Sequence, residues 1–240
     1  MSRCAVNVAF CSGHHGFRGD DYYPAAQRRL VRSLRRAGSY DGELVTWTDE
    51  LPPGAEPHAQ VHYHFKHAAM QEASNRGHRA LLWLDAVMVV IRPLSELWRR
   101  IEERGYFLWS HTAGWTVGDW TSDECLAHYG MLRGEARTVP MLCSGVFGYS
   151  LDHPLGRRLH EEFVTAPAST IRGAWHNRNS VVSRDRRVQG HRHDQSVLSI
   201  LAHRLGLELS LTPEVVAPAG QEDERTVIVH DFEGRLGWES

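Results

Sequence analysis

Arg79-Ala-Leu-Leu-Trp-Leu-Asp85-Ala-Val-Met-Val-Val-Ile-Arg92-Pro93 is apolar from Ala80 to Ile91 except at Asp85. A strand buried on one face alternates apolar and polar residues, whereas a run without alternation is buried on both faces, as at the centre of a parallel sheet. The run therefore predicts a central strand, with Asp85 where it emerges. In open α/β sheets ligands bind at the carboxyl ends of the strands. A carboxylate in that place can hold a divalent cation or a sugar hydroxyl; the plain alternative is a turn aspartate bonded to its own backbone.

Working outward, helical and strand patterns alternate. Cys4–Cys11 reads as a buried first strand running into the turn-rich Ser12-Gly13-His14-His15-Gly16. From Pro24 to Ala37, Ala26, Leu30, Leu34 and Ala37 recur at helical spacing and Arg28, Arg29, Arg32, Arg35 and Arg36 fall opposite, predicting an amphipathic helix with a solvated arginine face. A strand over Glu43–Thr48 and a helix over Val61–Asn75 precede the Asp85 run, and a helix Leu94–Arg104 and a strand Tyr106–Trp109 follow it. Thr121-Ser-Asp-Glu124 has capping-box spacing for a short helix ending at Gly130. Then come a strand Leu142–Ser150, a helix Pro154–Val164, a helix Gln195–Arg204, and short strands Leu207–Leu211 and Thr226–Val229. The expected architecture is α/β: one domain over residues 1–240, a mainly parallel central sheet flanked by helices, Rossmann-like in plan. Residues 171–192 lack a clean period and hold six arginines against one acidic residue. A connector so long in a compact domain is commonly a lid or binding segment, and here it is expected to be an active-site loop.

Composition narrows the classes. The chain has 240 residues, 42% hydrophobic and 23% charged, which argues against disorder or a fibrous repeat. A net charge of −2 gives no global field for nucleic acid or an anionic membrane. Cys4, Cys11, Cys125 and Cys143 form no CxxC pair and read as reduced thiols. No apolar run approaches the ~20 residues of a membrane span, so a cytosolic protein is expected.

Other residues could carry chemistry. His193 and Asp194 stand where a helix begins, and Asp194 either contacts a substrate or caps the helix. His191 reads as a loop histidine satisfied by its surroundings. Lys66 precedes the Asp85 strand on a helix, where a solvated lysine is the plain alternative. Trp47 and Asp49 close the second strand and could receive a nucleotide base and ribose; a core tryptophan and a turn aspartate explain them equally. Trp115, Trp120 and Trp175 could stack on a sugar or base.

Taken together these segments resemble the GT-A-fold nucleotide-sugar glycosyltransferases. Leu81-Leu-Trp-Leu-Asp85-Ala-Val87 resembles the family's Asp-x-Asp strand end. Cys143-Ser-Gly-Val-Phe-Gly148 resembles its site-lining strand, and His193-Asp194-Gln195 its His-Asp-Gln segment. Val229-His230-Asp231-Phe232-Glu233-Gly234 with Trp238 looks like the closing His-Phe-x-Gly motif of glycogenin-like transferases. Gly105-Tyr-Phe, Gly118-Asp-Trp-Thr-Ser-Asp and Gly190-His-Arg-His-Asp-Gln also resemble uncharacterised glycosyltransferase-like proteins of bacteria and phages.

The resemblance implies a nucleotide-sugar donor, a hydroxyl acceptor and retention of anomeric configuration. It implies Asp194 and His193 at the transferred sugar, Lys66, Ser144 and Gly145 on the donor, and Mn²⁺ or Mg²⁺ held by Asp85 and His230. Val87 stands where the second aspartate belongs and cannot ligate, which puts the cation in question. Three other readings stay open: a nucleotide-sugar-binding module without turnover, a zinc hydrolase built on His191, His193 and Asp194, and a nucleic-acid acceptor such as a hydroxymethylated phage base.

Overall fold

The computed structural model describes residues 2–10, 21–110, 114–211 and 214–236. The early loop Ser12–Gly16 and Trp238, both singled out above, lie outside them. The elements are β1 (Arg3–Ala9), α1 (Tyr22–Arg35), β2 (Glu43–Thr48), α2 (His64–Asn75), β3 (Ala80–Leu84), β4 (Met88–Val90), α3 (Ser95–Arg104), β5 (Tyr106–Ser110), α4 (Asp123–His128), α5 (Arg133–Ala136), β6 (Val146–Ser150), α6 (Pro154–Val164), α7 (Ala168–Ile171), α8 (Asp194–Arg204), β7 (Ser210–Leu211), β8 (Val216–Pro218) and β9 (Ile228–His230).

Six strands form the main sheet in the order β2-β1-β3-β6-β5-β7. β1 pairs in parallel with β2 and β3, and β5 with β7; β6 alone runs against its neighbours, β3 and β5. The sheet is therefore mainly parallel, as expected. β3 shows why its sequence has no polar alternation. Leu81 and Trp83 enter one hydrophobic cluster with α2, α6 and α8 residues, while Ala80, Leu82 and Leu84 enter a second with α1 and α3 residues. Every side chain of β3 is buried, so both faces demand apolar residues.

The strand ends before Asp85, as expected, and the apolar residues beyond it form a second strand. After Leu84 the chain turns, the Met88 N–H donating to the Asp85 carbonyl at 2.9 Å, and β4 leaves for a second sheet, ordered β4-β9-β8. Both halves are fully buried, so hydrophobicity carries no mark of the bend.

Two local expectations need correction. The short helix after Thr121 is capped one residue later, by Ser122, whose Oγ accepts the Cys125 N–H at 3.1 Å. The arginine face of α1 is not uniformly solvated: Arg29 is fully buried and pairs with Asp231 at 2.7 Å. That ion pair ties α1 to the segment following β9. Asp231 also accepts the backbone N–H groups of Arg235 and Leu236 at 2.7 and 3.0 Å. Among the described residues no helix is long and apolar enough to cross a membrane.

Candidate active site

A cleft of about 320 Å³ opens at the carboxyl ends of β1 and β3. β1 contributes Val8, Ala9 and Phe10, the β3–β4 turn contributes Asp85, Ala86 and Val87, and His230 and Phe232 close it from the end of β9. Antiparallel pairing sets His230 opposite Met88, and the Asp231 N–H donates to Val87 O at 3.1 Å, which carries this wall past the strand end. The remaining wall is aromatic and basic: His58, Tyr63, Phe65, Trp175 and Arg192.

Behind Asp85 lies a buried ion network. Lys66, on the first turn of α2, is 1% exposed, with its Nζ 3.0 Å from Asp85 Oδ1 and 3.0 Å from Asp194 Oδ2. It also donates to the Ser144 carbonyl at 3.0 Å. The rings of Tyr63 and Trp83 each lie 5.3 Å from the ammonium, close enough for cation–π attraction. Burial pulls the Lys66 pKa down, but Asp194 and Asp85 outweigh it and leave it above the ordinary value. Asp194 goes the other way for a carboxyl: burial raises it, against the opposing pull of Lys66 and a hydrogen bond from Ser144.

Asp85 is aimed by its neighbours. Trp83 Nε1 donates to Oδ1 at 2.7 Å, and Lys66 meets the same oxygen. Both contacts fall on Oδ1, so Oδ2 remains for the cleft. Backbone packing is close here, since a Cβ on Gly145 would sit 2.4 Å from Met88 Cε and 3.4 Å from Asp85 Oδ2. The Asp85 N–H donates to Gly145 O at 2.8 Å. Gly145 therefore lets the β6 entry run against the carboxylate.

Asp194 is not a helix cap. It is the first residue of α8, and the cap position is His193, with φ 50° and ψ −119° and no side-chain cap bond. A non-glycine residue at positive φ is costly, of order 1–3 kcal/mol, and persists only where its surroundings impose it. Here Nδ1–H donates to Ile171 O at 2.8 Å and the ring stacks on His62 and Tyr63, with centroids 4.8 and 5.7 Å away. Burial drives the His193 pKa well below its ordinary value, so the ring is neutral.

The structure brings Asp85, Lys66, Ser144, Gly145 and Asp194 together and sets His230 on the same cleft as Asp85. It does not bring Trp47 and Asp49 there. Trp47 packs in the core against the Arg76 guanidinium, 5.6 Å from the ring centroid, and the Asp49 backbone N–H bonds to Ala9 O at 2.9 Å. The zinc-hydrolase constellation is also not assembled. Both ring nitrogens of His191 are engaged, Nδ1 accepting from the Ser122 N–H and Nε2 donating to Thr170 O. Among the described residues no group of three His, Cys, Asp or Glu side chains gathers as a metal site.

Sequence reasoning passed over His58, Tyr63, Phe65, Phe10 and Tyr23, all lining residues. Their trace was the aromatic density of His58-Ala-Gln-Val-His-Tyr-His-Phe65 just before a helix. The three tryptophans proposed to stack on a ligand instead surround a side chain. Trp115, Trp120 and Trp175 lie 4.7, 4.1 and 4.9 Å from the Arg192 guanidinium, and of the three only Trp175 lines the cleft.

A mainly parallel sheet with one reversed strand, a carboxylate at the end of a central strand and a small second sheet closing the cleft describe a GT-A-type α/β fold. Solved structures agree. The chain is similar to mouse xyloside xylosyltransferase 1 in its apo form, with TM-score 0.54 and 10% identity over 96% of this chain and 97% of that one. It is similar to a glycosyltransferase involved in glycosylation of the major capsid of PBCV-1, with TM-score 0.50 and 13% identity over 97% and 94%. It is also similar to the apo structure of the bifunctional glycosyltransferase WbbM, with TM-score 0.53 and 10% identity over 95% of this chain and 45% of WbbM. No protein-family model matches the sequence, and no curated protein matches it by sequence. The shared property is the fold, and this chain has the fold of GT-A glycosyltransferases.

Proposed function

We propose that the chain transfers a sugar from a nucleoside-diphosphate donor to an acceptor hydroxyl. The observation that carries this reading is the buried Asp85–Lys66–Asp194 network, two carboxylates sharing one ammonium at 3.0 Å each, directly behind a cleft at the strand ends. Such a site suits a reaction in which a diphosphate departs and the anomeric carbon becomes oxocarbenium-like, because both charges develop in a place where fixed groups already stand.

The nucleoside lies against the end of β1, and the diphosphate faces Asp85 and His230. A divalent cation, when bound, neutralises the departing diphosphate as a Lewis acid. Asp85 through Oδ2 and His230 would hold it, phosphate oxygens completing the shell as Mg²⁺ commonly accepts. Lys66 stays protonated and pins Oδ1, which fixes the direction of Oδ2. Asp194 acts through Lys66 as a positioning residue and gives the network a net negative charge, which favours the sugar as it turns cationic. Asp85 is the one carboxylate among the described lining residues, and its Oδ1 is committed to Lys66 and Trp83. As the resemblance to glycogenin-like transferases implies, the acceptor oxygen bonds to the anomeric carbon as the bond to phosphate breaks, the acceptor proton passes to the departing phosphate oxygen, and configuration is retained.

The test is thermal stabilisation by a panel of nucleoside diphosphates and nucleotide sugars with and without Mn²⁺, followed by transfer assays on Asp85→Asn and Asp194→Ala. A ligand at about a hundred times its Kd stabilises by roughly 2.7 kcal/mol through mass action. A selective shift lost in Asp85→Asn, together with transfer lost in both variants, is the expected result. A folded protein indifferent to every diphosphate, or variants that transfer at the native rate, sinks the proposal. Val87 beside Asp85 favours one further reading, a module that binds the donor without turnover; it predicts the thermal shift and no transfer.

A further inference from the structure

Arg192 is held in an unusual way. Its guanidinium lies within 4.1–4.9 Å of three indole rings. Its backbone N–H is anchored to Trp120 O and Ser196 Oγ at 3.0 and 3.2 Å. Indole faces attract a cation and fix its plane, yet they accept no ordinary hydrogen bond from its edge. Burial lowers the Arg192 pKa, and no carboxylate of the described residues forms an ion pair with it. Nε is buried and has no hydrogen-bond partner among them. Arg29 and Arg137 also have such a buried Nε, but each meets a carboxylate, Asp231 at 2.7 Å and Asp119 at 3.0 Å, and Arg192 does not. A planar five-donor cation among three indole rings, with no carboxylate partner among the described residues and lining the cleft, suits an anion that arrives with the substrate.

The position selects which substrate. Asp85 and His230, where the diphosphate is placed above, are contributed by the β3–β4 turn and β9, whereas Arg192 comes from the segment before α8, beside Trp175 and Tyr63. Asp85 and Asp194 pair with Lys66 and not with Arg192, which sets it apart from the Lys66 network. Aromatic faces beside a charged fork suit a saccharide bearing an acid group. We infer that Arg192 binds the carboxylate or phosphate of an anionic saccharide acceptor, and that the three tryptophans exist to hold it in that pose. The inference rests on the glycosyltransferase reading for the word acceptor, but not for the anion.

The experiment is ligand-observed NMR titration of the full chain. The probes are methyl glucuronide against methyl glucoside, methyl galacturonide against methyl galactoside, and glucose 6-phosphate against glucose, with UDP, GDP, CDP and ADP in parallel. The native protein should prefer at least one acidic saccharide over its neutral counterpart. Arg192→Gln should weaken that saccharide roughly ten- to a hundredfold, the range of a charge-assisted hydrogen bond, and leave nucleoside diphosphate affinity unchanged. Arg192→Lys keeps the charge without the planar fork and should fall between, which holds the test if the glutamine variant folds poorly. No acidic preference in the native protein overturns the inference. So does a loss in Arg192→Gln confined to the nucleoside diphosphates, which reassigns the residue to the donor. Arg192-dependent binding of a hydroxymethylcytosine oligonucleotide without saccharide preference overturns it in favour of a nucleic acid. If the diphosphates fail to bind while acidic saccharides still depend on Arg192, the donor reading fails and the anion site stands.

Discussion

Replacing Lys66 with methionine tests the centre of the site. Methionine keeps the apolar stem and opens little space, so the change isolates the charge. Two carboxylates lose their cation, but not equally. The Asp194 side chain is 3% exposed, whereas that of Asp85 is 33% exposed and can turn to water, so its share is discounted for screening. Most of the cost is therefore the uncompensated burial of Asp194, for which breaking a buried pair costs about 3–5 kcal/mol. Loss of the cation–π contacts with Tyr63 and Trp83 adds up to about 1 kcal/mol. The measurement is urea unfolding at pH 7, read as a fall in Cm at constant m. Lys66→Met combined with Asp194→Asn should be more stable than Lys66→Met alone by about 2 kcal/mol, because removing both partners avoids the stranded charge. A single variant within about 1 kcal/mol of the native protein, or a double variant no better than it, refutes the claim that Lys66 neutralises Asp194.

Acid sensitivity should come from buried neutral histidines. Burial lowers His67 to about 3 and His160 and His191 to about 4, and takes His193 well down. Their folded pKa values lie below the unfolded value near 6.5, so the stability they contribute is present above it and lost as pH falls toward 4. The raised Asp194 carboxyl acts in the opposite sense, and the four histidines outnumber it, so unfolding near pH 5 should take up protons, read as a ΔG that rises with pH; a flat profile between pH 6.5 and 4.5 is incompatible with this. Arg29→Met should cost about 3–5 kcal/mol by stranding buried Asp231, and hydrogen exchange should accelerate over residues 228–236; unchanged protection there means that the ion pair does not anchor the cleft wall. Gly190→Ala sets a Cβ 1.8 Å from Trp175 O, a backbone atom that cannot swing aside, so a loss of about 1–3 kcal/mol and weaker acidic-saccharide binding should appear in the same variant. Val87→Asp adds a second carboxylate to the cleft lining; it should lower stability without cation and gain more from Mn²⁺ than the native chain does, and no Mn²⁺ response in either chain removes the Asp85–His230 cation site.

Much of the framework was legible because burial and periodicity leave marks. The Asp85 run announced a strand buried on both faces, and β1, β2, α6 and α8 followed from short apolar runs and helical spacing. Only Asp85 marked the turn after Leu84, and nothing showed that the strand beyond joins another sheet, since β3 and β4 are equally buried. Strand β8 was passed over because three residues between turns carry no period. At the site, Asp85 stood out as a charge at an apolar strand end. Lys66 was singled out only through the family resemblance, and its two carboxylate partners were not foreseen, for a lysine on a helix looks the same whether its ammonium meets water or two carboxylates. Arg29 shows the same ambiguity on α1. Partnership across the chain decides such residues, and neither Asp194 nor Asp231 is near its partner in sequence.

The charge layout follows one rule in both buried sites and breaks it at the cleft. Arg29 is matched by Asp231, and Lys66 by Asp85 and Asp194, as the cost of an unpaired buried charge demands. Among the described residues Arg192 is compensated only by aromatic rings, and Asp85 keeps one oxygen uncommitted. These exceptions both line the same cleft. A folded chain can retain unbalanced groups when a ligand supplies the missing partners, a cation or a hydroxyl at Asp85 and an anion at Arg192. The two are opposite in sign and contributed by different segments, so a substrate pair with a diphosphate at one end and an acid group at the other would be oriented before any bond is broken. That arrangement favours transfer between two bound partners over hydrolysis of one, because productive alignment then depends on the acceptor as well as the donor.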